Sequence, residues 1–320
     1  AGQGTISGVV TNGSGTQSLE KRNATGTWTI SGNANTYTGS TVVTAGTLRV
    51  TGSIATSSGV TVNSGGTFDA AASQLVKTLT VGAGGTAVVS SGATPRVLTV
   101  GDNVNAAPLN VGTGTSTGRV DLSSNALIVD VPDGSQAATL TTVRSAIVSA
   151  YNAGAWDGNG ITSSSIATNS SLAVGYALST DVPSASGGTY LGSNVDTSAV
   201  IARTTLSGDA DLSDNVDFND LVKLAQNYNT TDGARNWIDG DFTYDGNVDF
   251  NDLVKLAQNY NTALPAPGSI PGASAAFETD LARAFAAVPE PGTLGLFGVV
   301  GLAVLGRRRR RDAVAGDSTL

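Results

Sequence analysis

The chain has 320 residues, of which 41 are glycine and only 13% are charged, and it contains no cysteine, methionine or histidine. Without cysteine there are no disulfides, thiolate metal sites or thiol nucleophiles; without histidine, a Ser-His-Asp triad, a zinc–imidazole site and the usual proton shuttle are excluded as well. Abundant Gly, Ser and Thr with few charges suit many short strands and turns better than a helical enzyme, and the length allows two or more domains.

With no initiator Met, the chain is expected to be a fragment or processed form, with any secretory signal upstream. The net charge of −8 is local: residues 205–262 hold eleven acids against three bases, and charges elsewhere cancel. The basic cluster is the run Arg307–Arg311 near the C-terminus, so no nucleic-acid partner is expected.

From Gly26 to Val100 short β-branched runs alternate with Gly, Ser and Asn. Val43, Val62, Val81 and Val100 recur every 19 residues, and Gly-Thr pairs at Gly46, Gly66 and Gly85 keep step. That period suits one coil of a β-solenoid, each coil laying its apolar residue on the one below. A β-sandwich with fortuitous regularity is the competing reading.

Gly32–Val50, with Trp28, Thr29 and Ile30 as the preceding strand, resembles the autotransporter-associated β-strand repeat. The resemblance implies a right-handed β-helix on a secreted or surface protein, with Asn35, Tyr37 and Gly39 as turn and stacking residues. Beyond it, Val120–Val131 reads as a closing pair of strands, and Val143, Ile147 and Tyr151 fall at helical spacing up to Gly154. An amphipathic helix there would cover the exposed end of the stack. Leu172–Leu178 and Ala199–Leu206 read as two further strands, and the segment resembles the region before dockerin-like repeats in planctomycete surface proteins.

Asn215–Thr230 then recurs letter for letter as Asn247–Thr262. Overlapping each copy, oxygen-bearing residues occupy positions 1, 3, 5, 9 and 12 of a twelve-residue loop: Asp209, Asp211, Ser213, Asp217 and Asp220, then Asp241, Thr243, Asp245, Asp249 and Asp252. With the carbonyls of Asn215 and Asn247 at position 7, each loop offers the all-oxygen shell of a hard divalent cation, and the expectation is two Ca²⁺ sites whose filling is coupled to folding. The alternative is a solvated acidic face. Each loop leads into an amphipathic helix, with Leu221, Leu224, Ala225 and Tyr228 matched by Leu253, Leu256, Ala257 and Tyr260. Neither helix has apolar face enough to stand alone, so the two are expected to pack together.

These loops, each followed by one helix and closed by Asp, resemble a type I dockerin module. The resemblance implies attachment to a cohesin-like or other surface protein, in families built around polysaccharide degradation. Two positions depart from the pattern. The partner-reading pair is Phe218-Asn219 and Phe250-Asn251, where Ser-Thr is frequent, and Asp214 replaces Gly at position 6, which makes the first site the weaker expectation.

Ala263–Ser274, rich in Pro and Gly, reads as a linker, and Ala275–Ala287 as a short helix with Phe277, Leu281 and Phe285 on one side. The apolar stretch Thr293–Leu305 would be about 20 Å long as a helix, short of a hydrocarbon core of about 30 Å. Length alone leaves a buried helix and a membrane span equally open. Pro289, Glu290 and Pro291 before it and Arg307, Arg308, Arg309, Arg310 and Arg311 after it resemble a PEP-CTERM sorting signal. That resemblance implies export, membrane anchoring through the C-terminal helix with the arginines cytoplasmic, and processing by an exosortase.

The expected fold class is therefore mainly β: a right-handed β-solenoid (β-helix), then a small α-helical dockerin-like module with paired Ca²⁺ loops, then a C-terminal hydrophobic helix. The expected divisions are solenoid 1–130, cap and connecting region 131–206, calcium module 207–262, linker and helix 263–287, sorting segment 288–311 and tail 312–320. The function expected is a non-enzymatic exported cell-surface or matrix protein. The alternative is a β-helix enzyme acting on extracellular polysaccharide, or a non-catalytic part of a polysaccharide-degrading assembly. Glycoside hydrolysis needs two carboxylates across a groove, and Glu20, Asp69 and Asp102 do not recur at coil spacing; Asp121, Asp130, Asp133 and Asp157 are the remaining candidates, near the cap.

Overall fold

A computed structural model describes residues 2–111, 118–260, 270–271 and 273–287. Most of the linker, the sorting residues Pro289–Pro291 and Arg307–Arg311, the apolar stretch between them and the tail lie outside the described residues.

Short strands follow one another from the start: β1 (Gly4–Ile6), β2 (Leu19–Lys21), β3 (Thr27–Ile30), β4 (Thr41–Val43), β5 (Gly46–Val50), β6 (Val60–Val62) and β7 (Gly66–Ala70). Then come β8 (Gln74–Val76), β9 (Leu79–Val81), β10 (Thr86–Val89), β11 (Val97–Val100), β12 (Leu109–Val111), β13 (Arg119–Asp121) and β14 (Ala126–Val129). Helix α1 (Gln136–Tyr151) interrupts them before β15 (Gly160–Thr162), β16 (Leu172–Leu178), a small hairpin of β17 (Thr189–Tyr190) and β18 (Ser193–Asn194), and β19 (Val200–Leu206).

The strands stack into three sheets, ordered β1-β3-β5-β7-β10-β13-β15, β2-β4-β6-β9-β12 and β8-β11-β14-β19-β16, while the hairpin pairs only with itself. All pairings in the first two sheets are parallel, as are those from β8 to β14 in the third. This is a β-helix-like stack, each coil adding a strand to successive faces.

Register explains the sequence pattern. Ile30, Val50, Ala70 and Val89 lie on one another, and beside them Leu48, Phe68, Ala87, Val120 and Ile161 form a second interior column beneath Trp28. Below Trp28 these side chains are at most 1% exposed. Each fully buried Val, Leu, Ile or Phe contributes about 1.5–3 kcal/mol of transfer free energy. The Gly-Thr markers hold: Gly46 pairs with Gly66, and Thr67 with Thr86.

The valine series needs one correction. Val43, Val62 and Val81 stack in the second sheet, but the next member there is Val111. Val100 instead belongs to the third sheet, between Val76 and Val129. The connection from β10 to β11, residues 90–96, is longer than the matching one from β7 to β8, residues 71–73, so Val100 is still on the third face when the 19-residue beat comes round, and 101–108 lengthen the coil again before β12.

In the repeat at Gly32–Val50 the residues Asn35, Tyr37 and Gly39 act as coil connectors. Asn35, 6% exposed, accepts from Val10 N at 2.8 Å and donates to the carbonyls of Gly32 at 2.8 Å and Ser53 at 2.9 Å, so one amide ties neighbouring coils together. Tyr37 is fully buried, its hydroxyl 2.7 Å from Thr41 Oγ1, which in turn is 3.0 Å from Ser57 Oγ. A Cβ at Gly39 would lie 2.2 Å from the Gln17 carbonyl oxygen, so only glycine lets the coils approach there.

The far end of the stack is closed. Helix α1 packs across β15, β16 and β19, burying Val143, Ala146, Ile147 and Ala150, and β19 pairs antiparallel with β14 and with β16, ending the parallel ladder. Asn35→Ala removes two coil-bridging hydrogen bonds and a local one to Gly32 and leaves buried backbone groups unpaired, at about 1–3 kcal/mol each for those that water cannot reach. Circular-dichroism melts are expected to show Asn35→Ala and Gly39→Ala both lowering the midpoint, with the far-UV β signature retained by Asn35→Ala.

Candidate metal centre

The chain leaves β19 through Ser207 and Gly208 into the first acidic loop. Helices α2 (Phe218–Asn227) and α3 (Phe250–Asn259) follow the two loops. Asp217 and Asp249 are their N-caps, accepting from Asn219 N at 2.8 Å and Asn251 N at 2.7 Å. Asp220 and Asp252 reach back to the cap amides at 2.8 and 2.9 Å, completing reciprocal capping boxes. The identical sequence thus builds two identical helix starts with acids already turned toward the loop.

The two units embrace. Gly208 lies against the Cα of Leu256, and its counterpart Gly240 against the Cα of Leu224, so the glycine entering each loop abuts the helix of the other unit. Both take positive φ, 110° and 105°. Val216, Leu221 and Leu224 with Val248, Leu253 and Leu256 are all fully buried, and Val248 and Thr230 form an antiparallel bridge between the units. Each helix thus buries its apolar face against the other unit.

Inside the first loop the carboxylates of Asp209, Asp211 and Asp220 come within 4.8 Å of one another. Asp209 accepts from Ser213 N at 2.9 Å and Asp214 N at 2.8 Å, and also from the Thr205 hydroxyl. Asp220 accepts from Ala210 N at 2.8 Å. The second loop repeats this pattern: Asp241 accepts from Asp245 N at 3.1 Å and Gly246 N at 2.9 Å, and Asp252 from Phe242 N and Thr243 N, both at 2.9 Å. Asp245 accepts from Asn247 N at 2.8 Å, and Ser213 Oγ lies 3.4 Å from the Asn215 carbonyl.

Position 6 differs as its residue types require. Asp214 adopts φ 75° where Gly246 has φ 85°, and the Asp214 carboxylate turns away to pair with Arg203 at 2.9 Å. Position 4 is left-handed in both loops, at Leu212 and Tyr244, and both side chains are buried rather than aimed at the acids.

Asp209, Asp220, Asp241 and Asp252 have no exposed surface. Burial pushes the carboxyls of Asp209 and Asp241 up to about 6 and those of Asp220 and Asp252 up to about 7. Backbone amides oppose burial in all four cases, and Arg144 also opposes it at Asp241; neighbouring acids add to it. Four buried carboxyls in ordinary acid surroundings are costly as anions unless a cation accompanies them.

The donor set is oxygen alone, which is what a hard divalent ion takes. Thr243, at position 3 of the second loop, sets its buried hydroxyl beside the Asp252 carboxylate, whose ionised form it favours. The loops are not equivalent. Three carboxylates converge in the first, whereas in the second Thr243 replaces an acid and Arg144 places its guanidinium 3.5 Å from Asp241. The charge arrangement therefore favours the first loop, although Asp214 gives it the costlier backbone.

Residues that spacing did not reveal fix this unit to the solenoid. Trp237, fully buried, donates from Nε1 to the Asp209 carbonyl at 2.6 Å and packs on Gly175 of β16. The Tyr244 hydroxyl bonds both Val174 N and Val174 O, at 3.2 and 3.0 Å. Arg203 of β19 donates to the Leu212 carbonyl at 3.0 Å, and Arg144 of α1 to that of Tyr244 at 3.3 Å. Helix α4 (Ala275–Ala287) lies along α3: Phe277 meets Tyr228 and Phe285 meets Tyr260 edge to face, with Arg283 over Phe250. Only the aromatic residues themselves hinted at this in sequence, since their partners lie tens of residues away.

Two stretches match known family models. Residues 25–50 match a passenger-associated-transport-repeat, and residues 287–311 match the PEP-CTERM protein-sorting motif. The chain is thus exported to the cell surface, with processing by an exosortase and membrane association. No curated protein and no solved structure matches. Among the described residues no helix is long and apolar enough to cross a membrane.

The acid titrations have a definite sign. An unfolded chain holds these four carboxyls near 3.9, so between pH 4 and 7 the folded, cation-free protein binds more protons than the unfolded one, and its stability falls as pH rises through that window. In chelator the melting temperature is expected to be lower at pH 8 than at pH 5. Added Ca²⁺ should restore more at pH 8, where no proton competes for the carboxylates; a chelated midpoint independent of pH would contradict the assignment.

Proposed function

We propose that the chain is a non-enzymatic exported surface or matrix protein, in which a β-solenoid carries a Ca²⁺-stabilised, dockerin-like attachment module at its closed end. The convergence of Asp209, Asp211 and Asp220 is the observation that supports the calcium reading most directly. Asp217 and Ser213 with the Asn215 carbonyl would complete the first shell, and Asp241, Thr243, Asp245, Asn247, Asp249 and Asp252 the second. The ion would supply electrostatic clamping, drawing each loop tight and holding Trp237 and Tyr244 against the solenoid.

Attachment draws on the residues left outside. Phe218 is 38% exposed at the start of α2, next to exposed Asn219, while its counterpart Phe250 is covered by Arg283. A cohesin-like or other surface protein is the partner this supports, and calcium would act on it indirectly, by holding α2 in place.

The reading as a polysaccharide-acting enzyme draws on one group. Asp130 is pushed up to about 6 by burial, with Asp196 and Asp102 adding to it, beside a groove of about 490 Å³. Most other acids are committed: Asp69 to Arg49 at 2.6 Å, Glu20 to Arg22 at 2.6 Å and Asp121 to the amides of Ser123 and Ser164. The surface-protein reading is favoured because, among the described residues, the two carboxyls that act on Asp130 are themselves engaged: Asp196 accepts from Ser198 and Asn103, and Asp102 lies 3.8 Å from Lys77.

Calorimetry of Ca²⁺ titrated into the chelator-stripped chain is expected to show saturable binding, and a hundredfold excess over Kd should add about 2.7 kcal/mol of stability per site. Asp209→Ala and Asp220→Ala should abolish the first site and lower the Ca²⁺-loaded midpoint. No heat and no midpoint shift would remove the calcium reading. For sorting, deletion of 288–311 is expected to release the exported protein from the membrane fraction into the medium, and retention of the deleted form would place the anchor elsewhere.

A further inference from the structure

A second built feature lies where the solenoid, its cap and the second acidic repeat meet. A cleft of about 290 Å³ opens there, with Arg119 of β13 on one part of its wall and Lys255 of α3 on another. Both are half-buried, and neither has an ion-pair partner among the described residues. The second loop's acids are close as well, since after burial Asp252, Asp241 and Asp245 push up the Tyr151 hydroxyl on the same wall, so an anion here would be held by direct contact with the Arg119 and Lys255 side chains and not by the field of the surface.

The remaining wall suits a hydroxylated ring. Trp156 and Tyr151 line it, stacked edge to face at 5.3 Å, together with Ser164 and Ser170. The Trp156 backbone is held at φ 54°, and Asn152 and Ala153 just before it at 42° and 54°. Three non-glycine residues in the left-handed region within five positions constitute strain that surrounding structure must maintain, and the Trp156 indole in this stretch packs at right angles to Tyr151 and to Tyr244 at the cleft. Aromatic faces take the apolar side of a sugar ring, serines its hydroxyls, and a guanidinium its carboxylate or sulfate in paired hydrogen bonds. At about 290 Å³ the cleft lies just under the usual range of about 300–1,000 Å³ for ligand sites, so it would seat one unit of a longer chain whose other units lie outside it.

We propose that this cleft binds an anionic saccharide, a sugar carrying a carboxylate or sulfate whose charge is met by Arg119 and Lys255 and whose ring lies against Trp156. The site depends on the second repeat being docked on the cap, which brings Lys255 and Tyr244 to Arg119 and Trp156. It does not require calcium to be a ligand of the sugar, and it would mark the closed end of the solenoid as the part that holds an acidic extracellular polysaccharide.

The experiment is tryptophan fluorescence and calorimetry on the full chain, with trigalacturonate and a sulfated trisaccharide as separate probes and maltotriose and inorganic sulfate as controls. At least one anionic trisaccharide is expected to bind saturably, more weakly at high salt, and the probe that binds identifies carboxylate or sulfate. Arg119→Gln and Lys255→Gln should each weaken it about tenfold or more, and Trp156→Phe should remove the fluorescence change. The Arg119 side chain leaves its strand ladder intact, so Arg119→Gln remains informative if the Trp156 variant misfolds. Binding of neither anionic probe, equal binding of maltotriose or of inorganic sulfate, or unchanged affinity in both charge variants would overturn the proposal. Running the titration with Ca²⁺ and with chelator separates the two readings: a chain that shows no Ca²⁺-dependent melt yet binds the sugar loses only its calcium sites.

Discussion

Parallel in-register stacking is the constraint on which this molecule is built. Once each coil lies directly on the one before, an interior position has the same position above and below it, and a polar or misshapen residue there would be unpaired on both sides. That is why Ile30, Val50, Ala70 and Val89 form one column, and Leu48, Phe68, Ala87, Val120 and Ile161 another. The polar residues allowed inside are those that bond along the stack, such as Asn35 between neighbouring coils and the Tyr37–Thr41–Ser57 chain.

A stack of this kind must end, and its last coil would otherwise offer open backbone and apolar side chains. Here the ending is made in layers. The third sheet changes to antiparallel pairing at β19, α1 lies across the coil end, and the duplicated helical unit packs on the outside of both. Trp237, Tyr244, Arg144 and Arg203 carry the contact, so the acidic module is held as part of the cap and does not swing on a tether.

Burial of acids links this architecture to function. The same packing that fixes the helices also removes Asp209, Asp220, Asp241 and Asp252 from water and leaves their charge for backbone amides and a cation to balance. Arg144 shows that the balance can be shared: from α1 it meets Asp241 in the second loop, while among the described residues no guanidinium pairs with the converging carboxylates of the first loop. A cation bound there would act on the solenoid end as well as on its own loop, because Asp209 is joined to Trp237 through its carbonyl.

The sequence by itself determined whatever depends on local repetition. Strand-length β-branched runs, the Gly-Thr markers, the strands Leu172–Leu178 and Ala199–Leu206, the capping helix, the pairing of α2 with α3 and the twelve-residue spacing of the acids were all legible, because each is set by near neighbours or by an exact copy. Tertiary structure alone decided which face each strand joined. Val100 keeps the 19-residue beat yet lies in a different sheet from Val81, because the longer connection at 90–96 uses up residues that the preceding coil spends in reaching the second sheet. It also decided that Arg144, Arg203 and Trp237 attend the acidic loops and that Arg119 meets Lys255 at one cleft. Those residues are far apart along the chain, and their meeting is fixed by how coils and helices pack, which no periodicity encodes.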